Sequence, residues 1–273
     1  MTSSKHDMLR FTEADLDFLI QIVSPEVSDK SGLKRIIRED EDFRNRFLTE
    51  ERVFRRLLDD EEILLKITPR LFFEILLRKA LDDLQKIGFT IEKSLTMRVP
   101  VFDTQGVADL FRKENMLDYM ALMLSSFTRI ESYAVSFRIK KGFWKTIRFN
   151  DMDIQSLMSF CEVMEEEYRL GLYKRIADIC LFMLGLFPDY TEREYQYPFS
   201  GQPRPPVAGQ IRISPEEYEE KGRQFYQLAA RHQAARDLAN VFQALCDGFQ
   251  EARKPLNFMA EHYLHGTRRQ LFG

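Results

Sequence analysis

The sequence predicts a mainly α protein: a multi-helix globular bundle around a central buried helix, with one small antiparallel β-hairpin. Three observations predict it. Apolar residues recur at helical spacing over most of the 273 residues. One segment, 170–187, is apolar nearly all round, which suits a helix enclosed on every side. One stretch, 133–149, alternates apolar with polar residues and carries Lys141–Gly142 as a tight turn between its halves. With 44% hydrophobic residues and only 12 Gly and 10 Pro, the chain can build a sizeable core, and global disorder is excluded. Residues 1–273 read as a single helical domain. The alternative division sets a core of 1–187, hairpin included, against a C-terminal helical hairpin in 214–273 beyond a Pro-rich loop.

The elements follow in order. Thr12 caps a first helix that carries Leu16, Leu19, Ile20 and Val23. Residues 34–62 alternate in charge sign, from Lys34, Arg35 and Arg38 through Glu39–Asp42 to Arg52, Arg55 and Arg56. Phe43, Phe47, Val53 and Phe54 thread them, which predicts two amphipathic helices with ion-paired outer faces. Thr68 as cap, Pro69 at the first helical position and Gly88 as terminator bracket a long helix. Residues 89–102 read as a short extended piece, and 104–131 as helical again, with a second part rich in Met116, Met120 and Met123. Beyond the hairpin, Asn150 or Asp151 caps a helix with Ile154, Leu157, Met158, Cys161 and Met164 on one stripe. Pro188 ends the central helix. The segment 188–213, with Pro188, Pro198, Pro203, Pro205 and Pro206, reads as an irregular surface connection. Ser214–Glu217 is a capping box that opens a helical hairpin to about residue 252, and Pro255 opens the last helix.

A net charge of −3 argues against a protein that coats a polyanion, while leaving room for a local basic patch. The sequence holds no phosphate-binding glycine loop, no G-x-S-x-G elbow, no H-E-x-x-H and no C-x-x-C. Cys161, Cys180 and Cys246 are odd in number and sit among apolar helix formers, as buried small hydrophobes do. No apolar run reaches the roughly 20 residues of a membrane helix, and residues 1–10 lack a signal stretch. The expectation is a cytoplasmic protein with no membrane contact and no cofactor. No metal is expected either. His262 and His265 stand three apart beside Glu261, and such a pair needs distant partners to make a site.

Two regions carry polar groups that point to chemistry. Asp178 lies inside an apolar run, where a lone carboxylate is costly. Lys174 at i−4 and Arg175 at i−3 can reach it, with Arg169 and Tyr173 further back. Two readings stand: an ion pair that locks the central helix, or a polar cleft of Arg169, Tyr173, Arg175 and Asp178 that holds an anionic group or moves a proton. In the hairpin, Arg138, Lys140, Lys141, Lys145 and Arg148 form a basic strip around Trp144. That strip suits a nucleic-acid phosphate backbone, or equally the acidic segment with Glu162, Glu165, Glu166 and Glu167, in the same chain or a partner.

The stretch Tyr173–Pro188 resembles a segment of a family of bacterial proteins with no assigned function, and Ser214–Tyr226 is similar to it as well. The resemblance implies a bacterial, cytoplasmic source and brings no catalytic or cofactor-binding residue. The functional expectation is therefore a non-enzymatic interaction or regulatory protein with a protein partner or a second copy of itself. The alternatives are a nucleic-acid-binding regulator that uses the hairpin, and an enzyme with an Arg/Asp cleft on the central helix.

Overall fold

A computed structural model describes residues 11–60, 62–93, 98–101, 103–128, 132–140, 143–150, 152–195, 213–265 and 271–272; in 91–93, 98–99, 132–140, 143–150 and 192–195 it describes the backbone alone. Helix α1 (Glu13–Val23) starts with a reciprocal box in which the Thr12 hydroxyl accepts from Asp15 N and the Asp15 carboxylate accepts from Thr12 N. Four short helices follow: α2 (Lys30–Glu39), α3 (Glu41–Leu48), α4 (Glu51–Asp59) and α5 (Ile63–Lys66). The charge run of 34–62 thus folds as three main helices where the sequence suggests two. Asp40 is the reason: its side chain accepts from Phe43 N at 2.9 Å, capping α3 and forcing the chain out of α2. Ile37, Leu48, Val53 and Leu57 are fully buried, so each short helix is held by its apolar stripe.

Helix α6 (Pro69–Ile87) keeps the limits its caps dictate: Thr68 accepts from Leu71 N, Pro69 sits in the first turn and Gly88 adopts φ 78°. Strands β1 (Thr90–Lys93) and β2 (Arg98–Val101) pair antiparallel. The stretch expected to be helical holds two helices, α7 (Thr104–Phe111) and α8 (Met116–Ser126), with Asn115 left-handed at φ 62° between them. The backbones β3 (Ser132–Lys140) and β4 (Phe143–Asn150) run antiparallel, with Tyr133 opposite Phe149 and Val135 opposite Ile147. The turn residues Lys141 and Gly142 lie outside the described residues.

Helix α9 (Ile154–Val163) is capped by Asp153, whose carboxylate accepts from Gln155 N and Ser156 N, and not by Asn150; Asp151 lies outside the described residues. A 3-10 turn at Glu166–Tyr168 leads into α10 (Leu170–Leu186). Pro188 ends α10 and also opens α11 (Pro188–Tyr195), as a proline free of a helical N–H can do. The segment read as an irregular connection therefore begins as helix, and 196–212, with the other four prolines, lies outside the described residues. The Ser214–Glu217 box starts α12 (Pro215–Arg231) as expected. The chain then passes through a 3-10 turn at Gln233–Leu238 into α13 (Ala239–Asp247) and α14 (Phe249–His262). The last helix starts six residues before Pro255 and carries it inside. Pro255 is buried in the α14 face, where packing offsets a helix-interior cost of about 3 kcal/mol.

Helix α10 is the axis of the molecule. It packs against α9, α11, α12 and α14, and Ile176, Ala177, Cys180 and Leu181 are fully buried. Two contacts show how close the approach is. A Cβ on Gly222 of α12 would lie 2.4 Å from the Phe249 ring and 3.0 Å from Cys180 Cβ, and one on Gly185 would lie 2.6 Å from Leu256 Cδ1. Asn257 of α14 donates its amide to the carbonyls of Leu184 and Gly185, which end α10 without helical partners. One cluster of buried apolar side chains takes in residues from Phe11 to Leu271.

Candidate functional site

Asp178 is fully buried at the middle of α10. A carboxylate there must be compensated, and three groups do so. The hydroxyl of Tyr119 (α8) donates to Oδ1 at 2.5 Å, that of Tyr226 (α12) donates to the same oxygen at 2.9 Å, and Lys174 Nζ meets Oδ2 at 2.6 Å. Lys174 also stands 5.1 Å from the centre of the Tyr119 ring, which adds a cation–π contact. Both tyrosines pack on Phe242. Three helices are thus tied to one carboxyl group. Burial, helped by the Asp178 charge, pushes both tyrosine hydroxyls well above their usual 10.0. They stay protonated and remain donors. Only Lys174, about one third exposed, reaches solvent. The cluster is a closed latch that presents a single ammonium group to the outside.

The four residues expected to share a cleft occupy three separate settings. Arg175 does not reach Asp178; its guanidinium lies 3.9 Å from the centre of the Phe127 ring and donates to Ser126 Oγ. The helix places i−4 and i−3 on diverging sides of Asp178, and Lys174 is the one that meets its carboxylate. Arg169 and Tyr173 gather around Glu166 instead. Arg169 donates to the Met164 carbonyl and pairs with the Glu166 carboxylate, to which the Tyr173 hydroxyl also donates at 3.0 Å. His232 completes this knot: its Nδ1 accepts from Ala234 N, so Nε2 carries the proton and donates to the Glu166 carbonyl at 2.8 Å.

Of the basic strip, Lys141 lies outside the described residues, Lys140 stands opposite Phe143 beyond an irregularity in the ladder, and the register fixes the other three. Arg138 stands opposite Trp144 and Arg148 opposite Ala134, while Lys145 stands opposite Phe137, in the alternate set with Val135 and Ile147. The acidic segment is open. Glu162, Glu165, Glu166 and Glu167 are exposed, and beside them Val163 and Tyr168 are 61% and 65% exposed. No group of three or more His, Cys, Asp or Glu among the described residues is placed to hold a metal, and His262 binds its Nδ1 to the Phe258 carbonyl. All three cysteines are free and buried; burial pushes the Cys161 thiol up to about 11 and raises those of Cys180 and Cys246.

Sequence reasoning missed four buried polar side chains. Asp15 is fully buried and accepts from Thr12 N, Thr68 N and the Thr68 hydroxyl, so one carboxylate joins the starts of α1 and α6. Its signal was present in Thr12-x-x-Asp15. Glu74, 1% exposed on α6, pairs with Arg78 at 2.9 Å, and burial raises its carboxyl above the ordinary range. Tyr119 and Tyr226 were not singled out as polar groups, although each lies among apolar helix residues, where a tyrosine needs an acceptor.

Among the described residues, no helix is long and apolar enough to cross a membrane. No family model, no curated protein and no solved structure matches the chain.

Proposed function

We propose that this chain is a non-enzymatic interaction protein of the cytoplasm that associates with itself, the acidic segment of one copy receiving the basic strands of another. The observation that carries the reading is the exposed run from Glu162 to Tyr168, where acidic groups flank two uncovered apolar side chains, Val163 and Tyr168. Carboxylates beside an aromatic knob suit a partner that brings cations on a flat apolar support. The strand pair 132–140 and 143–150, read as a closed hairpin through Lys141–Gly142, has that composition. The most reactive-looking group, Asp178, is sealed behind Tyr119 and Tyr226, which favours a structural role for the central helix over a catalytic one. An acidic and a basic surface on one chain make a head-to-tail contact, which builds rings or filaments.

Size-exclusion chromatography with light scattering tests this. Oligomers are expected at low salt and smaller species above about 0.5 M salt, where screening shortens the reach of exposed charges to a few ångströms. The triple variant Glu162→Lys, Glu165→Lys, Glu167→Lys is expected to be monomeric throughout. A wild-type protein that is monomeric at low salt removes the proposal. The second reading gives the strip Arg138, Lys140, Lys141, Lys145 and Arg148 to nucleic acid. It requires salt-sensitive DNA or RNA binding that disappears when Lys140, Lys141 and Lys145 become Glu.

A further inference from the structure

Away from the acidic segment, the end of α6, the start of β1 and α14 enclose a partly open pocket of about 210 Å³. Its walls are apolar and in part aromatic: Leu84 and Ile87 from α6, Phe89 ahead of β1, and Phe258 from α14. The His262 ring lies flat on the Phe258 ring, with centroids 4.0 Å apart and planes at 18°, so the two make a stacked platform at the mouth. At the floor, Thr90 and Lys254 are 5% and 8% exposed. The Thr90 hydroxyl donates to one oxygen of Asp103, and Lys254 pairs with the other. The cation at the floor is thus paired, and Glu261 adds a carboxylate to the lining, so the pocket does not attract an anion.

Asn257, His262 and Glu261 line the same space, and Asn257 and His262 offer it uncharged acceptors beside the Glu261 carboxylate. Asn257 gives its amide N–H groups to the carbonyls of Leu184 and Gly185, which leaves its Oδ1 as the acceptor end. His262 binds Nδ1–H to the Phe258 carbonyl, which makes Nε2 the acceptor in the neutral ring. An apolar cavity of about 150 Å³ suffices for a single benzene ring, so this one has room for one or two rings.

We propose that this pocket binds a small aromatic molecule of one or two rings that is not an anion and carries an N–H or O–H donor. The walls supply the area, the His262–Phe258 platform the stacking face, and Asn257 Oδ1 or His262 Nε2 the acceptor.

Indole and 1-methylindole, which differ only in the donor, are the probes, read by ligand-observed saturation-transfer NMR on the full chain. Indole is expected to bind with Kd in the range of about 0.1–1 mM, as befits so few atoms. The methylated probe is expected to bind roughly 3- to 10-fold more weakly, the worth of one hydrogen bond. Ile87 is 44% exposed at the mouth, so Ile87→Trp is tolerated by the fold and is expected to plug the pocket and weaken indole at least about tenfold. His262→Phe keeps the stack and removes an acceptor; it is expected to narrow the gap between the probes. Absence of indole binding at about 1 mM, equal binding of the two probes to the wild type, or binding undiminished in Ile87→Trp each overturns the proposal.

Discussion

Replacing Asp178 by Ala is expected to destabilise the protein by about 2–4 kcal/mol. The carboxylate serves Tyr119 and Tyr226 through one oxygen and Lys174 through the other. Lys174 is about one third exposed and turns to water when released, at little cost. The hydroxyls have no such outlet, since Tyr119 is 3% exposed and Tyr226 is fully buried. With Asp178 gone they bond to one another once, which leaves one buried hydroxyl proton unpaired, worth about 1–3 kcal/mol. The vacated side-chain volume adds about 1 kcal/mol. Asp178→Asn keeps the shared oxygen but turns an N–H donor toward Lys174, so the ion pair and its hydrogen bond are lost and the cost is expected to be about 1–2 kcal/mol. The triple variant Asp178→Leu, Tyr119→Phe, Tyr226→Phe removes every polar group together and is expected to recover much of the loss. Urea unfolding at neutral pH, followed by far-ultraviolet circular dichroism, measures all three. A cost below about 1 kcal/mol for the alanine variant, or equal costs for alanine and asparagine, refutes the latch.

The same tyrosines predict an alkaline limit. Their folded pKa values lie above the ordinary 10.0, so the unfolded chain loses these protons first, and the stability they hold is complete below that pH and lost as pH rises above it. The expected slope is about 1.4 kcal/mol per pH unit for each tyrosine. The urea midpoint between about pH 9 and pH 11 is expected to fall less steeply for Tyr119→Phe, Tyr226→Phe; identical slopes would disprove the assignment. At the helix crossings, Gly222→Ala is expected to cost about 1–2 kcal/mol, because its Cβ would meet the buried Phe249 ring at 2.4 Å. Gly171→Ala, with nothing within 4 Å, is expected to stabilise α10 by about 0.5–1 kcal/mol, and thermal unfolding of the two variants is the check.

What the sequence disclosed was what local chemistry decides. Thr68, Pro69 and Gly88 set the limits of α6 within their own few residues, and Ser214 with Glu217 did the same for α12. Asp178 stood out because a carboxylate in an apolar run is costly wherever it lands, and Lys174 was legible as its i−4 neighbour. Tyr119 and Tyr226 were not, being 59 and 48 residues away and brought in only by the packing of α8 and α12 on α10. Arg175 misled for a related reason: helical spacing put it near Asp178, and the Phe127 face drew it off. Boundaries failed where one residue outweighed the pattern around it. Asp40 caps an extra helix in a charge run that reads as two, and Asn115 sets a break inside a stretch that reads as helical. Pro255 reads as a start and sits inside a helix because tertiary burial overrides its local cost.

A rod as evenly greasy as α10 offers neighbouring helices several comparable ways to settle, each about 100° from the next along the chain. Asp178 Oδ1 admits one of them, since hydroxyls from α8 and α12 must arrive at the same atom together. Assembly therefore has a proofreading step inside the core: a rotated or slipped helix strands the carboxylate against hydrocarbon and is rejected. The same dependence ties three distant codons into one heritable unit, so that aspartate and its two tyrosines are expected to persist or vanish in company.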